Sequence, residues 1–376
     1  MSGTQPVTPA VASKALRVLV IPSSCLAGNR TVGGGERYAL EYAQALSALT
    51  PTTHGLFDVA GSSHPEGHLT HRTFSLRSTQ FGIRLPLTRE ARRQLKAYDL
   101  IHLMCFPTPF SDALIWLARW RGQKVVLTDV GGMTPCYSTY LSRIHPRLTL
   151  ARWAHGLAHL SQYAGTFFSG WPQVQTVLYG GASSRVVSQS GAPGGYALMV
   201  GRLFPHKGIL QVIQALPPQI PLHVVGRPYD SDYFAKLQAA ASGKQVKFLT
   251  HADDATVQAE YQGASVVLQT SIPTIAGAAD KAELLGLVTL EAMASGKPAI
   301  VTSITSLPEL VRDGETGFIV PPHDLPALAD RISRLVNDAD LSRRLGAAAA
   351  RHVATNFTWK ATAERGLALY QKIRAR

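Results

Sequence analysis

Short runs of β-branched and leucine-rich residues alternate along this chain with segments whose apolar positions recur at helical spacing. In the first half, RVLVIP (17–22), DLIHLM (99–104) and KVVLT (124–128) have strand length and read as buried parallel strands. ERYALEYAQALSAL (36–49) puts Ala39, Tyr42, Ala43 and Leu46 on one face and predicts a helix. A Ser-, Gly- and Pro-rich stretch, SSRVVSQSGAPGGY (183–196), reads as a linker, and after it the pattern restarts. Strand YALMV, a helix from 208, strand PLHVVG, a helix from 232, strand QVKFLT, a helix from 255 and strand SVVLQT follow in turn, before a further helix and strand PAIVTS. This alternation predicts an α/β protein with parallel sheets covered by helices. Two such sandwiches joined by a linker leave a cleft between the carboxyl ends of their strands, where ligands of these folds bind.

One helix breaks the pattern. In AELLGLVTLEAMASGKPAIVTS (282–303), Gly286 marks a start and Gly296, followed by Lys297 and Pro298, an end. Leu287, Leu290 and Ala294 fall at i, i+3 and i+7, but the i+4 place in that apolar stripe holds Glu291. A carboxylate near a first turn is favoured by the helix dipole, yet on a buried face it demands hydrogen-bond partners. Vicinal sugar hydroxyls would supply them. Glu283 lies eight positions upstream, on the loop before the helix. Taken alone, a capping or salt-bridged pair of glutamates explains the stretch equally well.

Size and composition bound the possibilities. A chain of 376 residues suits two domains of roughly 150–200 residues. At 45% hydrophobic and 16% charged it can pack both cores. No apolar run reaches the ~18 residues of a membrane span, and the N-terminus has neither the basic start nor the apolar core of a signal peptide. The three cysteines (Cys25, Cys105, Cys136) fit neither a disulfide framework nor a zinc knuckle. Together these predict a soluble, cytoplasmic protein.

The net charge of +13 is unevenly placed. Between Asp129 and Asp230 there is no acid, while Arg143, Arg147, Arg152, Arg185, Arg202, Lys207 and Arg227 all fall there. Such a field attracts phosphorylated small molecules, acidic lipid headgroups or nucleic acid, although a generally basic composition accounts for it equally well. Nucleic acid is disfavoured, since no helix-turn-helix, zinc finger or RNA-binding aromatic signature accompanies the charge. YSTYLSRIHPRLTLARWAHGLAHL (137–160) mixes Arg, His, Trp and Leu. Peripheral contact with an anionic membrane surface would suit it, but the pattern favours a buried helix with a basic rim.

Two glycine- and cation-bearing stretches carry candidate chemistry. In VGGGERYALE, Gly33, Gly34 and Gly35 precede a helix N-terminus, where backbone N–H groups can approach an anion; an ordinary tight turn is the alternative. There is no Walker Lys-Ser/Thr and no spaced dinucleotide fingerprint, which argues against a nicotinamide-dependent dehydrogenase. In VGRLFPHKG (200–208), Arg202 and Lys207 flank a proline turn just past a strand and suit a diphosphate, or are simply exposed loop cations. Asp230-Ser231-Asp232 and Asp338-Ala339-Asp340 match the Asp-x-Asp of some metal sites, but neither neighbours the cationic stretch, and an N-cap is the simpler reading of Asp230.

Taken together, VGRLFPHKG and ELLGLVTLEAMASGKPAIVTSITSLPELVRDGETGFIVPPHD closely resemble the retaining, nucleotide-sugar-dependent glycosyltransferases of family four, which have the GT-B fold. Glu283 and Glu291 match that family's Glu-(seven residues)-Glu motif. Gly201, Arg202, Leu203, Lys207 and Gly208 match its cationic motif, and Gly34 to Arg37 its N-terminal one. The resemblance is most specific over 196–325 and weak over 50–180. It implies a Rossmann-like acceptor domain (1–182), a linker (183–195), a donor domain (196–357) and a helix (358–376) returning to the first domain. It implies that Arg202 and Lys207 hold the donor diphosphate, Glu291 the ribose and Glu283 the transferred sugar. Gly34, Gly35, Gly201, Gly286 and Leu287 would lie against the donor. The reaction implied is sugar transfer to an acceptor hydroxyl on a glycan, a lipid-linked or a small molecule, with no cofactor and no metal. Two departures stand out. Leu285 occupies a position usually aromatic, and the DVGG loop replaces the usual histidine, leaving Asp129 as a substitute. That loss keeps open a catalytically weak or inactive nucleotide-sugar-binding protein of the same fold. SIPTIAGAADKA (271–282) is longer than the family norm and reads as a lid, an acceptor loop or a plain insertion.

Overall fold

The computed structural model describes residues 15–22, 33–58, 62–75, 88–106, 109–130, 150–183, 191–273 and 283–376. The first sheet contains β1 (Val18–Ile21), β2 (Thr52–Asp58), β3 (Ser62–Glu66), β4 (Leu69–Ser75), β5 (Leu100–Phe106), β6 (Lys124–Asp129), β7 (Gly156–His159) and β8 (Val174–Val177). Their spatial order is β3-β4-β2-β1-β5-β6-β7-β8. The second contains β9 (Ala197–Val200), β10 (Leu222–Val225), β11 (Val246–Leu249), β12 (Val266–Gln269), β13 (Ala299–Thr302) and β14 (Gly317–Val320), ordered β11-β10-β9-β12-β13-β14. Strand pairs are parallel except β3 with β4, an antiparallel edge. The chain winds one way from β1 to β2 and the other way from β1 to β5; β9 does the same between β10 and β12. Each reversal opens a crevice at the carboxyl ends of the strands.

Helices cover both faces: α1 (Gly34–Ser47), α2 (Arg89–Leu95), α3 (Pro109–Trp120) and α4 (Gln162–Thr166) in the first half. The second half has α5 (Ile209–Ala215), α6 (Ser231–Ala240), α7 (Asp254–Gly263), α8 (Leu287–Ala294), α9 (Leu325–Asn337), α10 (Ala339–Asn356) and α11 (Trp359–Arg374). Strand β1 shows why its sequence is continuously apolar. Val18 and Val20 enter the core under α1 with Tyr38 and Tyr42, while Leu19 and Ile21 enter the opposite core with Phe57, Phe74 and Ile115. A strand buried on both faces needs apolar residues at every position.

The last helix ties the two halves together. α11 packs on α1, where the Tyr42 and Tyr370 hydroxyls are 2.7 Å apart and His102 Nδ1 lies 2.6 Å from the same Tyr370 oxygen. Burial pushes the His102 pKa down to about 3, so the imidazole is neutral, with Nε2 2.7 Å from Thr128 Oγ1. Two glycines permit this docking. A side chain at Gly156 of β7 would collide with Ile373 of α11, and one at Gly366 of α11 would fall on the Tyr42 hydroxyl. Gly366→Ala should therefore destabilise the protein by roughly 2–3 kcal/mol, from overpacking plus a lost buried hydrogen bond. Chemical denaturation would show it; an unchanged midpoint would mean that α11 does not seat on α1 this closely.

Two further contacts join the halves. Arg37 pairs with Asp254 (2.8 Å), and Glu309 accepts hydrogen bonds from Gln162 N, Tyr163 N and Tyr179 Oη, each 2.8 Å.

The sequence reading needs one correction here. The described part of 137–160 is not a helix: residues 150–153 form a single 3-10 turn and Gly156–His159 is strand β7. Four buried residues between β6 and β8 are too few to show a period, and Gly156 is there for the close approach of Ile373. Residues 137–149, the core of the linker (184–190) and most of the SIPTIAGAADKA stretch (274–282) lie outside the described residues, as does the N-terminus through residue 14. Asp230 and Asp338 are both N-caps, accepting from Asp232 N and Tyr233 N, and from Leu341 N.

Candidate active site

A cavity of about 660 Å³ occupies the cleft between the two sheets. The first half contributes Gly33–Gly35 and Arg37 from the start of α1, with Val130 and Leu160 from the ends of β6 and β7. The second contributes the loop after β9, the loop after β10 and the start of α8. Both switch points therefore open into the same space.

The loop after β9 is shaped by glycine. Pro205–Lys207 form one 3-10 turn, and Gly208 continues into α5 with φ of 71°. A side chain at Gly208 would strike the Thr270 carbonyl, so no other residue closes this turn against β12. The turn holds Lys207 half-buried over the cavity, while Arg202 is exposed, its guanidinium 5.2 Å from the centre of the Phe204 ring. Phe204 also stacks on Tyr229 at 5.3 Å.

Helix α8 begins on Gly286, whose φ of 95° suits glycine and which has no side chain to cap the helix. Gln269 from β12 compensates in part: its Oε1 accepts from Thr289 N at 3.1 Å and from Thr289 Oγ1 at 2.6 Å. The first-turn N–H groups of Leu287 and Val288 have no partner within the helix, and both residues line the cavity. That end of the helix is a ready anion site facing Lys207 and Arg202 across the same space. Gly34 completes the wall, since a side chain there would touch Leu287 at 3.6 Å.

The two glutamates are held differently. Glu283 is ion-paired with Lys207 Nζ. Burial opposes its ionisation, but the Lys207 ammonium and hydrogen bonds from Lys207 and Gln269 outweigh that and hold its carboxyl below the usual range. Glu291 is 5% exposed and accepts a hydrogen bond from Tyr261 Oη at 3.1 Å. Burial pushes its pKa up to about 7, against the pull of Arg37 and Tyr261. Helix α8 is buried around most of its circumference, so Glu291 is not a surface residue turned inward. It is a buried carboxyl group that lines the cavity.

The pKa of Glu291 sets a pH dependence. The group titrates near 7 in the folded protein and near 4.5 ordinarily, so the folded state binds the proton more tightly. Ionisation then costs folding stability as pH rises from about 4.5 through 7, by roughly 3 kcal/mol in all. Glu291→Gln should abolish this loss and be more stable than the wild type at pH 8 but not at pH 4.5. Thermal unfolding at the two pH values is the check; the same difference at both would remove the titration from consideration.

Of the residues singled out from the sequence, Arg202, Lys207, Glu283, Glu291, Gly34, Gly35, Gly201, Gly286 and Leu287 all line the cavity. Asp129 does not: it is buried at the end of β6, and the next residue, Val130, faces the space. β6 ends at Asp129, and Val130 is the first residue of the loop beyond it. Leu285 is buried and lines the wall. Sequence reasoning passed over three contributors. Arg37 follows the glycines, Tyr261 holds Glu291, and Gln269 serves the α8 N-terminus. Only Arg37 left a signal, in the GGGER string; the others act through contacts 20 and 30 residues away in sequence.

Residues 184–352 match the family Glycosyl transferases group 1. The D-inositol 3-phosphate glycosyltransferase of Corynebacterium efficiens is 28% identical over 229 residues, 54% of this chain and 50% of that protein. The chain thus spans about half the length of the curated relatives it matches. Among solved structures, sucrose-phosphate synthase from Thermosynechococcus elongatus aligns with a TM-score of 0.74 at 22% identity, covering 96% of this chain and 100% of that one. HepE from Anabaena, in complex with UDP and glucose, aligns with a TM-score of 0.72 at 21% identity, covering 96% and 100%. The fold is GT-B.

Proposed function

We propose that this chain, whose residues 184–352 are a glycosyl transferases group 1 domain, moves a sugar from a nucleoside-diphosphate donor to an acceptor hydroxyl with retention of anomeric configuration. One observation carries the reading: Arg202, Lys207 and the N-terminus of α8 converge on one cavity with two differently held carboxylates. Residues 196–357 would bind the donor and residues 1–182 the acceptor, whether glycan, lipid-linked or small molecule. The solved complex of HepE with UDP and glucose supports a nucleotide-sugar donor for this fold.

In this mechanism the diphosphate sits between Lys207, Arg202 and the first-turn N–H groups of α8. Lys207 has three donors, so it can keep Glu283 and still donate to a phosphate oxygen. Glu291 accepts hydrogen bonds from the ribose, and Glu283 faces the sugar. As the glycosidic bond lengthens, negative charge grows on the departing phosphate, and these fixed cations and dipoles stabilise it without reorganising. The acceptor hydroxyl attacks from the same face and passes its proton to the departing phosphate oxygen. No side chain acts as a covalent nucleophile. The cytoplasm is the setting we infer.

Cationic side chains do the work of a metal here. Nucleoside-diphosphate binding and sugar transfer should therefore persist in excess EDTA, measured by calorimetry and by product formation with the anomeric configuration read by NMR. Activity lost to EDTA and restored by manganese or magnesium would sink the metal-independent mechanism. A second reading is favoured by Val130, an apolar residue lining the cavity in the loop where the family resemblance implies a histidine: a binding protein with little or no catalytic power. Measurable donor hydrolysis or transfer would remove it.

A further inference from the structure

Away from the cleft, three tryptophans lie open to solvent. Trp116 and Trp120 are 55% and 76% exposed on α3, and Trp153 is 49% exposed on the 3-10 turn packed against it. Spacing of four residues puts Trp116 and Trp120 on one side of the helix. Their position follows from the winding. β5 runs toward the cleft and α3 returns from it, so Trp120 comes back to the amino ends of the strands. Residues 150–153 precede β7 and lie at the same end. The cavity takes its residues from the opposite, carboxyl ends.

The same end is strongly basic, and among the described residues no salt bridge joins Arg119, Arg121 or Arg152 to a carboxylate. Arg119 lies 3.0 Å from His155 Nε2, and Arg152 sits 5.4 Å over the Trp171 ring. Arg121, beside Arg92, has Nε and Nη1 shielded from water without a hydrogen-bond partner among the described residues. His155 feels the field: burial, with the Lys124 and Arg119 cations, pushes its pKa down to about 4. The acids nearby are few. Asp99 is taken by Arg17 and Glu90 by Arg93, while Asp112 stands at the other end of α3.

We propose that this pole of the first domain, formed by Trp116, Trp120 and Trp153 with the exposed Arg119 and Arg152, docks on an anionic lipid surface. Indole rings settle at the headgroup level, where one edge is apolar and the other wet. Guanidinium groups held by rings and imidazole rather than carboxylates keep their charge for lipid phosphates. Docking here leaves the cleft on the far side of the domain, open to donor, so the inference stands apart from the sugar-transfer reading. Among the described residues no helix is long and apolar enough to cross a membrane.

The test is co-sedimentation of the full chain with phosphatidylcholine vesicles with and without about one-third phosphatidylglycerol, together with tryptophan emission. We expect binding and a blue shift with anionic vesicles alone, lost at about 0.5 M salt. Trp116→Ala/Trp120→Ala should weaken binding roughly tenfold or more, and Arg119→Glu/Arg152→Glu at least as much. Both variants should bind nucleoside diphosphate like the wild type, which separates this surface from the cavity. Absent binding, equal binding to neutral vesicles, or variants that bind as tightly as wild type would overturn the proposal. So would self-association that Trp120→Ala abolishes, since a second copy would then cover the surface.

Discussion

Lys207→Ala should lower kcat/KM for the donor by about 2–4 kcal/mol, roughly 30- to 1000-fold, because a charge-assisted contact strengthens as the phosphate departs. The structure adds a complication that can be turned to use. Lys207 also neutralises Glu283, and removing it strands a half-buried carboxylate. Part of any loss could then come from a distorted loop rather than a missing cation. The double variant Lys207→Ala/Glu283→Gln removes both charges and should recover thermal stability without recovering activity. Near-native kcat/KM in Lys207→Ala would end the assignment. Recovery of activity in the double variant would make Lys207 a scaffold for Glu283 and nothing more.

The second large effect separates the two glutamates. Glu291→Ala should weaken binding of the bare nucleoside diphosphate by about 1.5–3 kcal/mol, roughly ten- to a hundred-fold, because it removes hydrogen bonds from a charged acceptor to the ribose. Glu283→Ala should leave that affinity within about threefold while strongly reducing turnover, since it meets the centre where charge develops. Calorimetric titration and transfer rates on both variants make the comparison. A pH series sharpens it. Glu291 accepts fully only when ionised, so wild-type affinity should fall about tenfold between pH 8 and pH 6, beyond any change seen in Glu291→Gln. Equal losses of affinity in the two alanine variants would mean that the division of roles is wrong. Variants that fold and keep both affinity and rate would make the pair structural.

The odd position of Glu291 on an apolar stripe now has a structural account. α8 is buried on nearly all sides, and its carboxylate accepts a hydrogen bond from Tyr261, feels the Arg37 cation and lines the cavity. The sequence signalled that something unusual sat there, because a charge in a buried helix is costly enough to require a reason. It could not say whether the partner was a tyrosine, a cation or a ligand. The structure shows the tyrosine and the open space.

By itself the sequence determined the alternation of strands and helices, the two parallel sheets and the loops that carry Arg202, Lys207, Glu283 and Gly286. These are local signals: a strand buried on both faces is apolar throughout, and a turn that must adopt positive φ uses glycine. Tertiary structure alone decided the rest. Strand β7 escaped notice because four residues show no period, and its Gly156 answers to Ile373, more than 200 positions away. Asp129 is a candidate in the sequence because it ends a strand beside the cleft; in the fold it is buried, and Val130, just past the strand, lines the cavity. The Lys207–Glu283 pair, the Tyr261 and Gln269 contacts and the bridge from Arg37 to Asp254 join residues far apart in the chain. Local pattern records what each segment buries; only packing of segments against one another fixes which charges meet.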